Sequence, residues 1–195
     1  MVRKHDRSAH AQSGVASALA EARGDRQATV GAVADVVARD LRDSDTAGGA
    51  LLSAISAMAF GVAHAAVAAG GEMGCIAQGF LLGVMLAGEA KESSLLAVIG
   101  HAAGTFLKHV AEAGGDVIAA TRGLVEGSIA WAGELQLDPG EAAYAAGQGA
   151  VDAAEDVDHG LGEKVRAALE EPVAGILVIL DETEVPAARG AEPPG

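Results

Sequence analysis

The middle of the chain contains a long stretch without charged side chains. Residues 46–71 hold no Asp, Glu, Lys or Arg over 26 positions, and uncharged runs of 16 and 15 residues follow at 73–88 and 93–107. A helix that is apolar on every side has to be buried in a core, in an assembly or in a membrane. The fold must therefore hide three consecutive apolar segments from water.

The composition favours helices. Half of the residues are hydrophobic, but only 3% are aromatic, so Ala and the 27 Gly residues supply much of the apolar surface. Ala is the best helix former, whereas strands prefer β-branched and aromatic residues. Each Ala buries little area, so close approach of helix backbones has to compensate. The sequence predicts an all-α fold, either an antiparallel helical bundle or an irregular helical repeat array, with an apolar Ala/Gly-rich central hairpin.

Charge and hydrophobic periodicity divide the chain into five parts. Apolar residues recur at helical spacing between Val15 and Leu41, with a break predicted at Gly24-Asp25. The polar start and the Pro-rich end lack the apolar content needed for a core. The predicted parts are a disordered N-terminus (1–13), an amphipathic helical segment (14–45), an apolar helical core or hairpin (46–112), acidic amphipathic helices (113–180) and a disordered tail (181–195).

Two local patterns give more specific expectations for the second half. Asp138 followed by Pro139 is typical of a helix start, because Asp caps the first turn and Pro suits the first helical position. Residues 173–180 form an apolar run of eight, which fits either a helix or a strand. A lone strand would lack a partner, and this consideration favours a helix.

Glycine-initiated apolar segments suggest an internal repeat. Segments beginning at Gly61, Gly79, Gly104, Gly127 and Gly149 are separated by steps of 18, 25, 23 and 22 residues. Repeats of this kind are the sequence signature of helical arrays. The variable period is equally typical of chance similarity within an Ala/Gly-rich chain, so both interpretations stay open.

Pairs of glycines four residues apart mark candidate helix-packing faces, since they let two helix backbones approach closely. The 27 glycines would give about four such pairs by chance, so the count alone decides nothing. Two of the pairs lie inside the uncharged runs, where close packing is most needed. The predicted helix-packing interface comprises Gly61, Gly70, Gly74, Gly79, Gly83, Gly100, Gly104, Gly123 and Gly127.

The charge distribution argues against nucleic-acid binding. The formal net charge is −14, and residues 108–195 carry 17 acidic against 5 basic residues, a net of −12. An acidic surface repels phosphate backbones. The acidic residues are interpreted as a solvated surface that keeps an Ala-rich protein in solution.

Few residues point to chemistry. His101 and His109 share a helix face, with Glu112 nearby, and these three are weak candidates for metal binding. Cys75 lies in an apolar stretch without a cationic neighbour in sequence, which indicates an inert thiol. No nucleophile elbow, phosphate-binding loop or dinucleotide fingerprint occurs. No catalytic residue and no cofactor are therefore expected.

The sequence favours a non-catalytic helical scaffold or interaction protein. It would self-associate as a homo-oligomer, or dock on a protein partner, through small-residue apolar helix faces. The alternative is a membrane- or lipid-associated helical hairpin over residues 48–90, or a scaffold subunit enclosing an apolar molecule in a larger complex, because about 20 apolar residues span a bilayer. The polar N-terminus and the single cysteine predict a cytoplasmic location, with membrane association under the alternative.

Overall fold

The computed structural model describes residues 4–43, 49–87 and 92–180 of the chain. These residues form eight α-helices that pack against each other, as the composition predicted, and they contain no β-strand. The helices are α1 (Lys4–Ala22), α2 (Arg26–Arg42), α3 (Gly49–Ala69), α4 (Met73–Ala87), α5 (Glu92–Glu112), α6 (Val117–Ala132), α7 (Pro139–Val157) and α8 (His159–Ala167), with a short 3₁₀ turn at Gly133–Leu135.

The helices form two rows. From α1 to α7, each helix packs most closely on a helix two positions along the chain. The odd-numbered helices therefore make one row and α2, α4 and α6 make the other, while α8 packs mainly on α7. Gly79 lies close to Val30, and Gly83 lies close to Ala34, so residue numbers increase in the same direction along both helices. Helices α2 and α4 therefore run parallel. Consecutive helices thus form hairpins that stack side by side, which is the arrangement of a helical repeat array.

The repeating unit is a pair of helices, and a short sequence signature marks the turn within it. Ala22-Arg23-Gly24-Asp25, Ala69-Gly70-Gly71-Glu72 and Ala113-Gly114-Gly115-Asp116 connect the odd helices to the even ones, with steps from 22 to 69 to 113 of 47 and 44 residues. The second residue of each signature has a positive φ, of 52° at Arg23, 63° at Gly70 and 74° at Gly114. The spacing of 18 to 25 residues between the glycine-initiated segments corresponds to one helix, which is about half of this two-helix unit.

Acidic caps begin four of the helices. The side chains of Asp25, Asp116, Asp138 and Asp158 accept hydrogen bonds from backbone amides in the first turns of α2, α6, α7 and α8. The predicted start at Asp138-Pro139 is confirmed, with Pro139 at the first helical position. Each such cap contributes about 1 kcal/mol to stability.

The charge-free middle is largely buried by the rest of the chain. Helix α4 lies between α2 and α6, and α3 lies between α1 and α5. Nearly every α4 side chain from Met73 to Met85 is buried, although the helix carries no charge on any face. Between the two rows, the buried rings of Phe80 and Phe106 stack with centroids 4.7 Å apart. Neighbouring helices of the same chain thus supply the cover that the uncharged runs require.

Two predictions about the ends of the fold are wrong, and one lies outside the described residues. Residues 1–13 were expected to be disordered, but residues 4–13 belong to α1, and Ala11 is buried in the core; residues 1–3 lie outside the described residues. Residues 173–180 do not form a helix, because a tight turn joins Val173 to Ile176 and the following residues stay non-helical. The tail at 181–195 lies outside the described part.

Candidate interaction surface

Most of the predicted packing glycines lie where two parallel helices approach. A Cβ atom built on Gly79 would lie 2.6 Å from the carbonyl oxygen of Val30 in α2. Gly83 faces α2 in the same way, Gly61 faces α1, and Gly123 and Gly127 of α6 face the backbone of α4. Between α5 and α7, a Cβ on Gly104 would lie 2.6 Å from the Gly149 carbonyl oxygen. The remaining glycines at such contacts are Gly74 against Ala119 and Gly100 against Ala145.

Gly70 and Gly149 differ from the sequence expectation. Gly70 is not at a helix contact, because it adopts a φ of 63° in the turn after α3 and has no other group within 4 Å of the position that a Cβ would take. Gly149 was not among the predicted packing residues, but a side chain there would overlap the carbonyl oxygen of Gly100. Gly149 follows Gly104 by 45 residues, which is within the repeat steps of 44 and 47, and that spacing was the available signal.

The small-residue faces are therefore occupied within the chain. They join α2 to α4, α4 to α6, α5 to α7 and α1 to α3. Any surface left for another molecule lies beside these helix–helix contacts, on the outer sides of the helices.

Such a surface lies on the outer side of α3 and α5. The ring of Phe60 is 41% exposed, although it belongs to the charge-free part of the chain. The His64 ring lies 4.2 Å from it, one helical turn along α3, and the His109 ring of α5 meets it edge-on at 5.3 Å. Leu52, also exposed, lies two turns before Phe60 on the same helix. We call this surface the Phe60 patch; it comprises Leu52, Ser56, Phe60, His64, His101 and His109.

The two histidines of α5 have separate partners. His109 Nδ1 lies 2.8 Å from Glu112 Oε2 at the edge of the patch. His101 Nε2 instead lies 3.1 Å from Ser56 Oγ and 3.3 Å from the Leu52 carbonyl oxygen, both on α3. The structure therefore does not bring His101, His109 and Glu112 together as metal ligands, and within its described residues no group of three such side chains is placed to bind a metal ion. The contacts of His101 with Ser56 and Leu52 of α3 direct its side chain away from His109 and Glu112.

A shallow groove of about 450 Å³ runs along the outer side of α5 and α7, beside the Phe60 patch. Its polar lining includes His101, Gln148 and Asp152, and the Gln148 amide donates to Asp152 at 2.7 Å. The full lining is Leu96, Gly100, His101, Gly104, Thr105, Tyr144, Ala145, Gln148, Gly149, Asp152, Ala153 and Asp156. The groove lies along the seam where Gly100 and Gly104 of α5 pack against α7.

The environment of Cys75 favours an unreactive thiol. The side chain is buried on α4, and burial is the main cause that raises the pKa of Cys75 above its ordinary value. Arg26 opposes this rise in pKa, and Glu72, which forms an ion pair with Arg26, adds to it. The thiolate is the reactive form, so a raised pKa leaves Cys75 protonated at neutral pH.

Comparisons with known proteins give no assignment. No family model matches the chain, and neither a curated protein nor a solved structure matches it. Helix α3 meets the length and hydropathy expected of a membrane span over Ala50–Ala69, but 56% of an 18-residue apolar window within it is buried inside the protein. A core helix of a protein without a membrane region has the same properties.

Proposed function

We propose that the chain is a non-catalytic helical-repeat scaffold that docks a protein partner on the Phe60 patch. The observation that carries this proposal is the exposed Phe60 ring, placed between two histidine rings on the outer side of the array. Apolar aromatic side chains are enriched at the centres of protein interfaces. Repeat arrays present extended surfaces of this kind to their partners.

The packing of the helices changes which surface the scaffold would use. Small-residue faces were the expected docking surface, but those faces are occupied between helices of the same chain. The Phe60 patch and the adjoining α5–α7 groove remain open. A partner with an apolar side chain at the centre of its contact and hydrogen-bonding groups around it would fit the Phe60 ring and the surrounding histidines.

The geometry around Ser56 supports a non-catalytic role. Ser56 and His101 are within hydrogen-bonding distance, as a nucleophile and its base would be. The Ser56 hydroxyl, however, donates to the Leu52 carbonyl oxygen at 3.0 Å, and the same oxygen accepts from His101. A catalytic pair also needs a third group that orients the histidine, and the described residues place none on its other nitrogen. The two contacts of His101, with Ser56 and with the Leu52 carbonyl oxygen, join α5 to α3.

Site-specific photocrosslinking tests the docking proposal. Replacing Phe60 with p-benzoyl-phenylalanine keeps an aromatic group at the centre of the patch. Irradiation in the cells that make the protein is expected to give one or a few discrete adducts of higher mass. The matched control places the same residue at Ala130, which is exposed on α6 in the other row.

Equal adducts from positions 60 and 130, or none from position 60, would count against docking at the patch. The adduct masses also separate the two kinds of partner. A band at twice the chain mass indicates a second copy, whereas any other discrete mass indicates a different protein.

The second candidate is association with a membrane or lipid, which the apolar length of α3 favours. It would place the chain at a membrane, whereas the scaffold is proposed for the cytoplasm, where the single free Cys75 would stay reduced. Insertion of α3 would require its contacts with α1 and α5 to be given up. Hydrogen–deuterium exchange of α3 with and without lipid vesicles separates the two candidates.

A further inference from the structure

After α8, the described part of the chain includes an apolar segment at residues 173–180. Ala174 and Gly175 both have positive φ angles, of 48° and 81°, and they form a tight turn that pairs Val173 with Ile176. Two consecutive residues of this conformation are typical of the turns that join antiparallel strands. The segment that follows, residues 177–180, has no helical structure and no charged side chain.

Burial along this segment alternates as it does along a half-buried β-strand. Val178 is only 8% exposed, and it lies with Leu180 against Gly147 of α7. Leu177 and Ile179, in contrast, are 55% and 78% exposed. The segment therefore has one side attached to the array and one apolar side facing water.

Among the described residues, the backbone of residues 177–180 also has no pairing partner. Val173 and Ile176 exchange two hydrogen bonds, both 2.9 Å long, but within the described part of the chain no backbone group of residues 177–180 is bonded to another backbone group. An exposed edge of this kind, without charge or proline, pairs readily with another strand. A β-strand is thus the occupant that would satisfy these backbone groups, and its side chains would lie beside those of Leu177 and Ile179 as cross-strand pairs.

We propose that the partner strand is the same segment of a second copy, so that two chains pair antiparallel about a two-fold axis at Val178. In this register, Leu177 lies opposite Ile179 of the second chain, and both Val178 side chains keep their contacts with their own α7. The segment is apolar throughout and closely self-complementary. Leu177 lies opposite Ile179 and Ile176 lies opposite Leu180, so each of these cross-strand pairs joins a Leu to an Ile. A two-fold interface of this type is closed and gives a dimer.

This dimer goes beyond the proposed function, since it uses none of the residues of the Phe60 patch. It would carry two copies of the patch, and an assembly with two docking surfaces binds a multivalent partner more tightly than one chain does. The dimer and the docking proposal can therefore fail separately.

Light scattering coupled to size-exclusion chromatography tests the dimer with the full chain. We expect two chains per particle, and we expect Ile179→Glu to raise the dimer dissociation constant by about tenfold or more, because it places a carboxylate in each apolar cross-strand pair. Ile179 is too exposed for this change to disturb the fold. Val157→Glu, at another exposed apolar position, is the matched control and should leave the dimer unchanged.

Disulfide crosslinking tests the register. In a Cys75→Ala background, a mixture of Leu177→Cys and Ile179→Cys chains should form crosslinked dimers much faster than either variant alone, because only the mixed pair places the sulfurs directly opposite. A chain that stays monomeric up to about 100 µM would overturn the proposal. So would a dimer that Ile179→Glu leaves intact, whatever the crosslinking at Phe60 shows.

Discussion

Gly123→Ala is expected to destabilise the protein by about 3 kcal/mol or more, which is a large part of the net stability of a domain of this size. A Cβ atom on Gly123 would overlap the carbonyl oxygen of Gly74 and lie 2.8 Å from the carbon of the same carbonyl group. Both atoms belong to the α4 backbone, so no side-chain rotation can relieve the overlap. Helices α4 and α6 would have to separate, and their buried side chains would lose contact along the whole length.

The matched control for this prediction is Gly31→Ala. Gly31 lies within α2, and no other group lies within 4 Å of the position that a Cβ would take. Ala in an exposed helical position stabilises by about 0.5–1 kcal/mol relative to Gly. Urea unfolding followed by circular dichroism measures both variants. Equal stabilities of Gly123→Ala and Gly31→Ala would mean that α6 does not pack on α4 through Gly123.

Phe80→Ala is expected to reduce the free energy of unfolding by about 3–5 kcal/mol. The Phe80 and Phe106 rings are fully buried and stack with an interplanar angle of 20°. Phe80 belongs to α4 and Phe106 to α5, so the stack joins the two rows of the array. The close-packed core can collapse only partly around the cavity that the lost ring would leave.

Phe60→Ala is the matched control for the buried ring. Its ring is already 41% exposed, so the same substitution should cost about 1 kcal/mol or less. A double variant of Phe80 and Phe106 should cost less than the two single changes together, because aromatic pairs contribute about 0.5–1.5 kcal/mol beyond their buried area. Similar losses at Phe60 and Phe80 would show that the two rings are not buried as described.

The three phenylalanines show what the sequence could and could not predict. All lie in uncharged runs, and helical periodicity places each on a helix. Helix α3 contains no Asp, Glu, Lys or Arg that would mark its outer face. The exposed position of Phe60 therefore depends on how α3 sits between α1 and α5, which is a property of the whole array.

The repeating unit spans two helices, whereas the glycine-initiated segments in the sequence each correspond to one helix. Single glycine-initiated segments vary in spacing because the two helices of a hairpin differ in length and packing. The turn signature beginning at Ala22, Ala69 and Ala113 recurs more regularly, because each turn needs a positive φ followed shortly by an acidic residue. Gly79 and Gly123 occupy equivalent places relative to that signature, 44 residues apart.

Long-range contacts explain the remaining differences. His101 and His109 lie on one helix at helical spacing. The hydrogen-bonding contact of His101 with Ser56, however, joins residues 45 positions apart. The expectation of a helix at residues 173–180 rested on the absence of a strand partner within the chain. In the structure the segment is non-helical: Val173 pairs with Ile176 within it, and Val178 and Leu180 lie against α7.

The chain itself buries most of its charge-free middle. Hydrogen–deuterium exchange of the detergent-free protein, with peptides from α3 and α4, tests this claim most directly. We expect the amides of α4 to be among the slowest to exchange, and we expect lipid vesicles to leave the rates in both helices unchanged. The claim would be contradicted if the protein stayed in solution only with detergent, or if α3 and α4 exchanged rapidly until vesicles were added.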